Sequence, residues 1–251
     1  MNSSRRTVLR AAVAGSLGVG LAASSSSPVA AREPGGDGPR IGILLYEGFS
    51  LLDPTGPAEV LSRVPGAEVV MIGERTGPVR CDTGQAALIA DVTVDDMRDM
   101  DVLIVPGGSD EAVMAVFDND RLRDWIVRVH KRTRFTTSVC TGAAILGHLG
   151  LLKGRRATTY WAGAEFLESV GATYVPERYV RDGKIITSAG VSAGQDMAYY
   201  LAGLLTDRRT GEALELALEY DPKPPFGTGD AQEASQELKD LALKLLKDSQ
   251  G

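Results

Sequence analysis

The chain has 251 residues, 43% of them apolar and 6% aromatic, which is enough for one sizeable core. Its 33 acidic against 27 basic side chains give a net charge of −6, a balance that argues against non-specific binding to nucleic acid or anionic lipid and favours a domain handling a small molecule. Two cysteines, Cys81 and Cys140, are too few for a disulfide scaffold, although in an oxidising compartment they could form one bridge.

Residues 1–31 read as an address rather than as structure. Arg5-Arg6, followed by Val8-Leu9-Arg10, the uncharged run Ala11 to Ala23 and the small residues Val29-Ala30-Ala31, have the order of a twin-arginine signal peptide. The apolar run is too short to span a bilayer of about 30 Å, so no stable membrane anchor is expected. Cleavage after Ala31 removes three arginines and no acid, taking the charge to −9. The expectation is export to the periplasm or beyond, followed by a linker over 32–39 whose Pro and Gly content cannot order itself.

The main domain is expected over 40–220. Arg40 to Tyr46 predicts a buried strand, Pro54 to Val64 a helix and Ala67 to Gly73 a second strand. Gly77 to Leu88, with turn residues between short apolar stretches, predicts a hairpin, and Asp101 to Pro106 a strand running into Gly107-Gly108. Helical patterns fill Asp110 to Arg132. A strand at Phe135 to Val139 breaks at Cys140-Thr141 into a helix over Gly142 to Leu149. Short strands follow at Tyr174-Val175, Tyr179 to Arg181 and Ile185 to Ser188, then a long apolar helical face over Ser192 to Tyr220. Residues 221–251 divide into a Pro- and Gly-rich linker and an amphipathic helix marked by Leu238, Leu241, Leu245 and Leu246. Strands alternating with helices predict an α/β fold, a mostly parallel sheet covered on both faces.

Ligands of open parallel sheets bind at the carboxyl ends of the strands. Three loops there carry chemistry: Asp53-Pro54, Gly107-Gly108 and Cys140-Thr141-Gly142. The last has the form of a nucleophile elbow, a reactive residue between a strand and small residues that let a helix begin at once. A thiol at a helix N-terminus is expected to have its pKa lowered, and the N–H groups of Thr141 and Gly108 could cradle a developing negative charge. Asp53 has two readings on composition, a helix N-cap or a functional carboxyl group. His148, about 12 Å along the same helix, and His130, before the strand, are both poorly placed to serve Cys140 as a base.

The segments Leu45-Tyr46-Glu47-Gly48-Phe49, Val105-Pro106-Gly107-Gly108, Ser138-Val139-Cys140-Thr141-Gly142 and Thr187-Ser188-Ala189-Gly190 resemble the ThiJ/PfpI superfamily, and within it the isonitrile hydratases. The resemblance implies a flavodoxin-like three-layer sandwich of the class I glutamine amidotransferase type, a homodimer, and a hydratase needing no metal or organic cofactor. It makes Cys140 the nucleophile and Asp53 the acid beside it. Burial and the neighbouring sulfur are expected to keep that carboxyl group protonated. Gly107, Gly108, Thr141 and Tyr160 fall to substrate binding, with Trp161 as a second wall. Tyr160 departs from the pattern, since relatives commonly carry histidine before the tryptophan. Two other classes fit the same residues: a non-catalytic small-molecule sensor, and a thiol-dependent carbonyl or redox detoxifier using a low-pKa Cys140.

Overall fold

A computed structural model describes residues 38–250; the twin-arginine segment and most of the expected linker lie outside them. The sheet is built from β1 (Arg40–Leu44), β2 (Glu68–Gly73), β5 (Val92–Thr93), β6 (Val102–Val105), β7 (Phe135–Ser138), β10 (Tyr179–Asp182) and β11 (Ile185–Ser188). Their order is β10-β11-β7-β6-β1-β2-β5, and every pair is parallel except β10 with β11. Successive side chains of a strand point to opposite faces, and here both faces are filled. On β1 and β6, Ile41, Ile43, Val102 and Ile104 enter one core cluster while Leu44, Leu103 and Val105 enter the other.

The first cluster lies under α1 (Leu52–Leu61), α6 (Ala193–Leu205) and α7 (Arg208–Ala217). The second is covered by α2 (Asp110–Phe117), α3 (Asp120–Arg132), α4 (Gly142–His148) and α5 (Ala164–Ser169). These are the three layers of a flavodoxin-like sandwich. Breaks within the two long helical patterns are made by caps. Asn119 accepts from Leu122 N–H at 3.1 Å and Asp207 from Thr210 N–H at 3.0 Å, each ending one apolar stretch and starting the next helix.

The expected hairpin forms from β3 (Gly77–Arg80) and β4 (Ala87–Ala90), antiparallel and outside the main sheet. A second small pair, β8 (Arg156–Ala157) with β9 (Thr173–Tyr174), is parallel. The last helix, α8 (Gln236–Ser249), has no fully buried residue, and Leu241 and Leu245 stand exposed on it. Among the described residues no helix is long and apolar enough to cross a membrane. Cys81 and Cys140 are both buried free thiols in this structure.

Chain order puts the site where the topology favours it. From β1 the chain goes outward to β2 and then returns to β6 on the other side of β1, so the strand order reverses between β1 and β6. Loops at such a reversal diverge to opposite faces and leave a crevice at the carboxyl ends. The loops after β1, β6 and the adjacent β7 carry Asp53, Gly107 and Cys140.

Candidate active site

Cys140 stands just past the end of β7 with φ at +55°, a left-handed conformation that non-glycine residues rarely adopt. Its backbone is held there from three sides. Its N–H donates to the Ala189 carbonyl at 2.8 Å and the Ser188 carbonyl at 3.2 Å, and its own carbonyl accepts from Thr159 Oγ1 at 2.9 Å. Helix α4 can begin two residues later because Gly142 has no side chain: a Cβ there would lie 2.2 Å from the Val105 carbonyl oxygen. This is the geometry of a nucleophile elbow, a strained turn over-determined by its surroundings.

Asp53 is completely buried in the first turn of α1. Its side chain does not cap that helix. Instead, Oδ2 accepts from the Gly107 N–H at 2.8 Å, while Oδ1 is buried with no hydrogen-bond partner. Burial pushes the carboxyl group up from its ordinary 3.8 to about 7, against the opposing pull of the Gly107 N–H, and the Asp82 carboxylate adds to the rise. Asp82 is itself placed by Ser50, whose Oγ donates to it at 2.9 Å.

Gly107 lies between the two functional groups. A Cβ on it would fall 2.5 Å from Thr141 Oγ1, 2.7 Å from Thr141 N and 3.0 Å from Asp53 Oδ2, so the acid and the start of the elbow converge on a spot that only glycine leaves open.

Two expectations from the sequence are corrected here. The Cys140 thiol is pushed up, not down: the residue is only 6% exposed, burial is the chief cause and the Asp53 charge adds to it. The N–H groups of Thr141 and Val191, with the Thr141 hydroxyl, pull the other way and lose. Secondly, the Gly108 N–H is not available as a cradle, because it donates to Thr141 Oγ1 at 3.0 Å. The pair of N–H groups facing sulfur belongs to Thr141 and Val191. Sequence reasoning misses Val191, in the loop after β11, because nothing in Gly190-Val191-Ser192 announces a contact with a residue 51 positions earlier.

Tyr46 is a second site residue that the sequence does not reveal. It is buried, its hydroxyl donates to the Pro106 carbonyl at 2.8 Å, and its phenol is pushed up first by burial, then by Asp53 and Cys140. Tyr160 does reach the site: burial and then Cys140 raise its phenol, and its ring centroid is 5.3 Å from that of Trp161. Neither histidine approaches sulfur. His130 bonds Thr136 Oγ1 at 2.9 Å at the far end of β7, and His148 stacks on Phe117 with ring centroids 4.1 Å apart.

A cavity of about 1040 Å³ opens beside this centre, walled by Leu52, Tyr160, Trp161 and Val191 among others. The site therefore offers a buried thiol, a buried carboxyl group with one free oxygen, two N–H donors and a large adjoining space.

Comparison with known proteins shows the family and the fold. Residues 39–203 match the model of the DJ-1/PfpI family. The chain is 39% identical over 205 residues to an isonitrile hydratase from Pseudomonas putida, a match covering 82% of this chain and 89% of that protein. A ThiJ/PfpI family protein from Pseudomonas syringae superposes with a TM-score of 0.79 at 32% identity, covering 92% of this chain and 95% of that one. Drosophila melanogaster DJ-1beta shares the fold, with a TM-score of 0.67 at 21% identity over 74% of this chain and all of the other.

Proposed function

The chain belongs to the DJ-1/PfpI family, and on that premise we propose that it hydrates an isonitrile, R–NC, to the N-substituted formamide R–NH–CHO. The observation that carries the reading is Asp53 Oδ1, a fully buried carboxyl oxygen with no partner beside a buried thiol. A polar atom left unsatisfied in the interior is costly, and here it is where a reacting proton can be held. Identity of 39% to an isonitrile hydratase supports the substrate class.

In the proposed scheme Cys140 and Asp53 share one proton, either as thiol with carboxylate or as thiolate with carboxylic acid. The isonitrile places its terminal carbon between them. Sulfur bonds to that carbon as the shared proton passes through Asp53 to the same carbon, giving the thioimidate R–N=CH–S. Water then adds to the thioimidate carbon: Asp53 takes one water proton and delivers it to nitrogen. In the resulting R–NH–CH(OH)–S adduct, the carbon–sulfur bond breaks, the electron pair leaves on sulfur and the hydroxyl proton returns to Asp53. The N–H groups of Thr141 and Val191 stabilise the sulfur whenever it carries charge. Atoms balance as one isonitrile plus one water.

A pair that shares a proton works without a histidine, which fits the remote positions of His130 and His148. It also disfavours the redox reading, since a thiol raised by burial is a poor target for peroxide. The reading includes a homodimer, for which the exposed Leu51, Leu52 and Val191 at the site edge supply apolar contact surface, and export directed by residues 1–31.

The test is turnover of cyclohexyl isocyanide by the chain from Arg32, with formamide followed by chromatography beside Cys140→Ala and Asp53→Asn. Formamide that needs both side chains supports the scheme. Its absence from folded, reduced protein would refute it.

A further inference from the structure

The cavity beside Cys140 is larger than the reaction needs. Small-molecule sites span about 300–1,000 Å³, and this one reaches about 1040 Å³, whereas the reacting group is two atoms long. Its inner end lies at the chemistry: Leu52 precedes Asp53, Thr159 holds the Cys140 carbonyl, and the Val191 N–H faces sulfur. Its outer part is lined unusually for this chain. Tyr160, Trp161, Tyr174 and Tyr220, four of only fourteen aromatic residues, gather on its walls.

The outer wall is the segment 221–232, which the sequence presents as a linker. It is fixed at both ends. At its start the Tyr220 ring packs on Tyr199 with centroids 4.9 Å apart, and the Tyr220 hydroxyl bonds Asp196. Near its end, Gln232 Nε2 donates to the Pro176 carbonyl at 3.3 Å. Between them Pro222 and Pro224 present rigid apolar faces to the cavity. Of the charged side chains on the cavity, Arg178 pairs with Asp196 and Lys223 with Asp221 at 2.7 Å, while Glu177 and Asp230 carry no ion pair among the described residues.

We propose that this cavity is the subsite for the N-substituent, and that the segment 221–232 makes the enzyme selective for isonitriles carrying an extended aromatic group over short alkyl ones. Flat aromatic faces favour stacked or edge-on aromatic partners, and proline-edged walls add apolar contact without side-chain ordering. The inference rests on the hydratase reading and adds the substrate class to it.

The experiment uses the full chain and two substrates, 2-phenylethyl isocyanide and ethyl isocyanide. The expected ratio of kcat/KM is at least about tenfold in favour of the aromatic substrate, carried by KM. It should fall several-fold in Tyr174→Ala and in the double variant Pro224→Gly, Gln232→Ala, and be restored in Tyr174→Phe. In parallel, tryptophan fluorescence of the Cys140→Ala chain is titrated with N-(2-phenylethyl)formamide and N-ethylformamide. Trp125 is buried on the inner face of α3 and does not line this cavity, so a change reports Trp161. Equal kcat/KM values with no effect of the variants would overturn the inference and leave the hydratase reading standing. If neither isonitrile is hydrated, that reading fails and the titration alone decides: saturable binding of the aromatic formamide, weakened in the segment variants, supports an aromatic subsite, and no binding overturns it.

Discussion

Replacing Asp53 by asparagine keeps the shape of the side chain and removes its titration, so it isolates the energy stored in burying this carboxyl group. The folded value of about 7 against an ordinary 3.8 corresponds to about 4 kcal/mol at 1.36 kcal/mol per pH decade. The folded value is raised, so this stability is fully present below pH 3.8, is lost progressively as pH rises, and is gone above about pH 7. The asparagine of the variant cannot ionise. Its amide nitrogen, placed where Oδ1 of the native Asp53 has no partner, costs about 1–3 kcal/mol at every pH. Between about pH 5 and pH 8.5 wild-type protein should therefore lose about 3 kcal/mol relative to the variant, whatever their offset. With a urea slope of about 2 kcal/mol per molar, the gap between the two unfolding midpoints changes by about 1.5 M. Titrating groups away from Asp53 are common to both proteins and cancel, and Cys140, raised chiefly by burial, stays protonated across this window. Two stability curves that run parallel across this window would show that Asp53 is ionised in the folded chain at about pH 5, and the raised carboxyl value of about 7 would fall, together with the pH profile drawn from it.

The same shared proton sets the activity profile: kcat/KM for an isonitrile should rise with pH through about 7 as the doubly protonated pair loses one proton, and a profile already flat from about pH 5 would contradict it. Alkylation of Cys140 by iodoacetamide at about pH 7, followed by mass, should be slow for a buried thiol and faster in Asp53→Asn, where the second cause of its raised pKa is gone. In Gly107→Ala the new methyl group would meet Thr141 Oγ1 at 2.5 Å. Overpacking of this kind costs about 1–3 kcal/mol, and the displaced Asp53 should lower turnover more than about tenfold, read by thermal unfolding and formamide formation together.

Much of the fold is legible in the sequence because buried parallel strands and their helices carry strong patterns. The run Ile41 to Leu45, the Val102 to Val105 segment and the break at Cys140-Thr141-Gly142 each announce their element and their end. Strands of two residues, such as Val92–Thr93 and Arg156–Ala157, carry no such pattern and exist only through their partners. The site shows the same division. Gly107, Thr141 and Cys140 are legible because each lies within three residues of a strand end among small or reactive residues, and Asp53 because an acid before proline marks the start of the helix that follows β1. Val191, Tyr46 and the Pro222 to Gln232 wall are not, since their roles depend on contacts across the fold. The direction of the Cys140 shift escapes the sequence for a related reason: a helix terminus is visible there, whereas the depth of burial that outweighs it is not.

The bond between Asp53 and Gly107 joins residues 54 positions apart, and the Cys140 N–H takes its partners from Ser188 and Ala189 further along the chain. No short contiguous fragment holds a working centre. The loop after β11 is the last part of that centre to leave a ribosome, and until it docks the elbow has unpaired backbone and sulfur lacks one of its two donors. Catalysis should thus be among the earliest properties lost when the β10–β11 edge detaches from the sheet, before the remaining strands separate. Residual turnover during gradual denaturation would then serve as a local gauge of that edge rather than of the global transition.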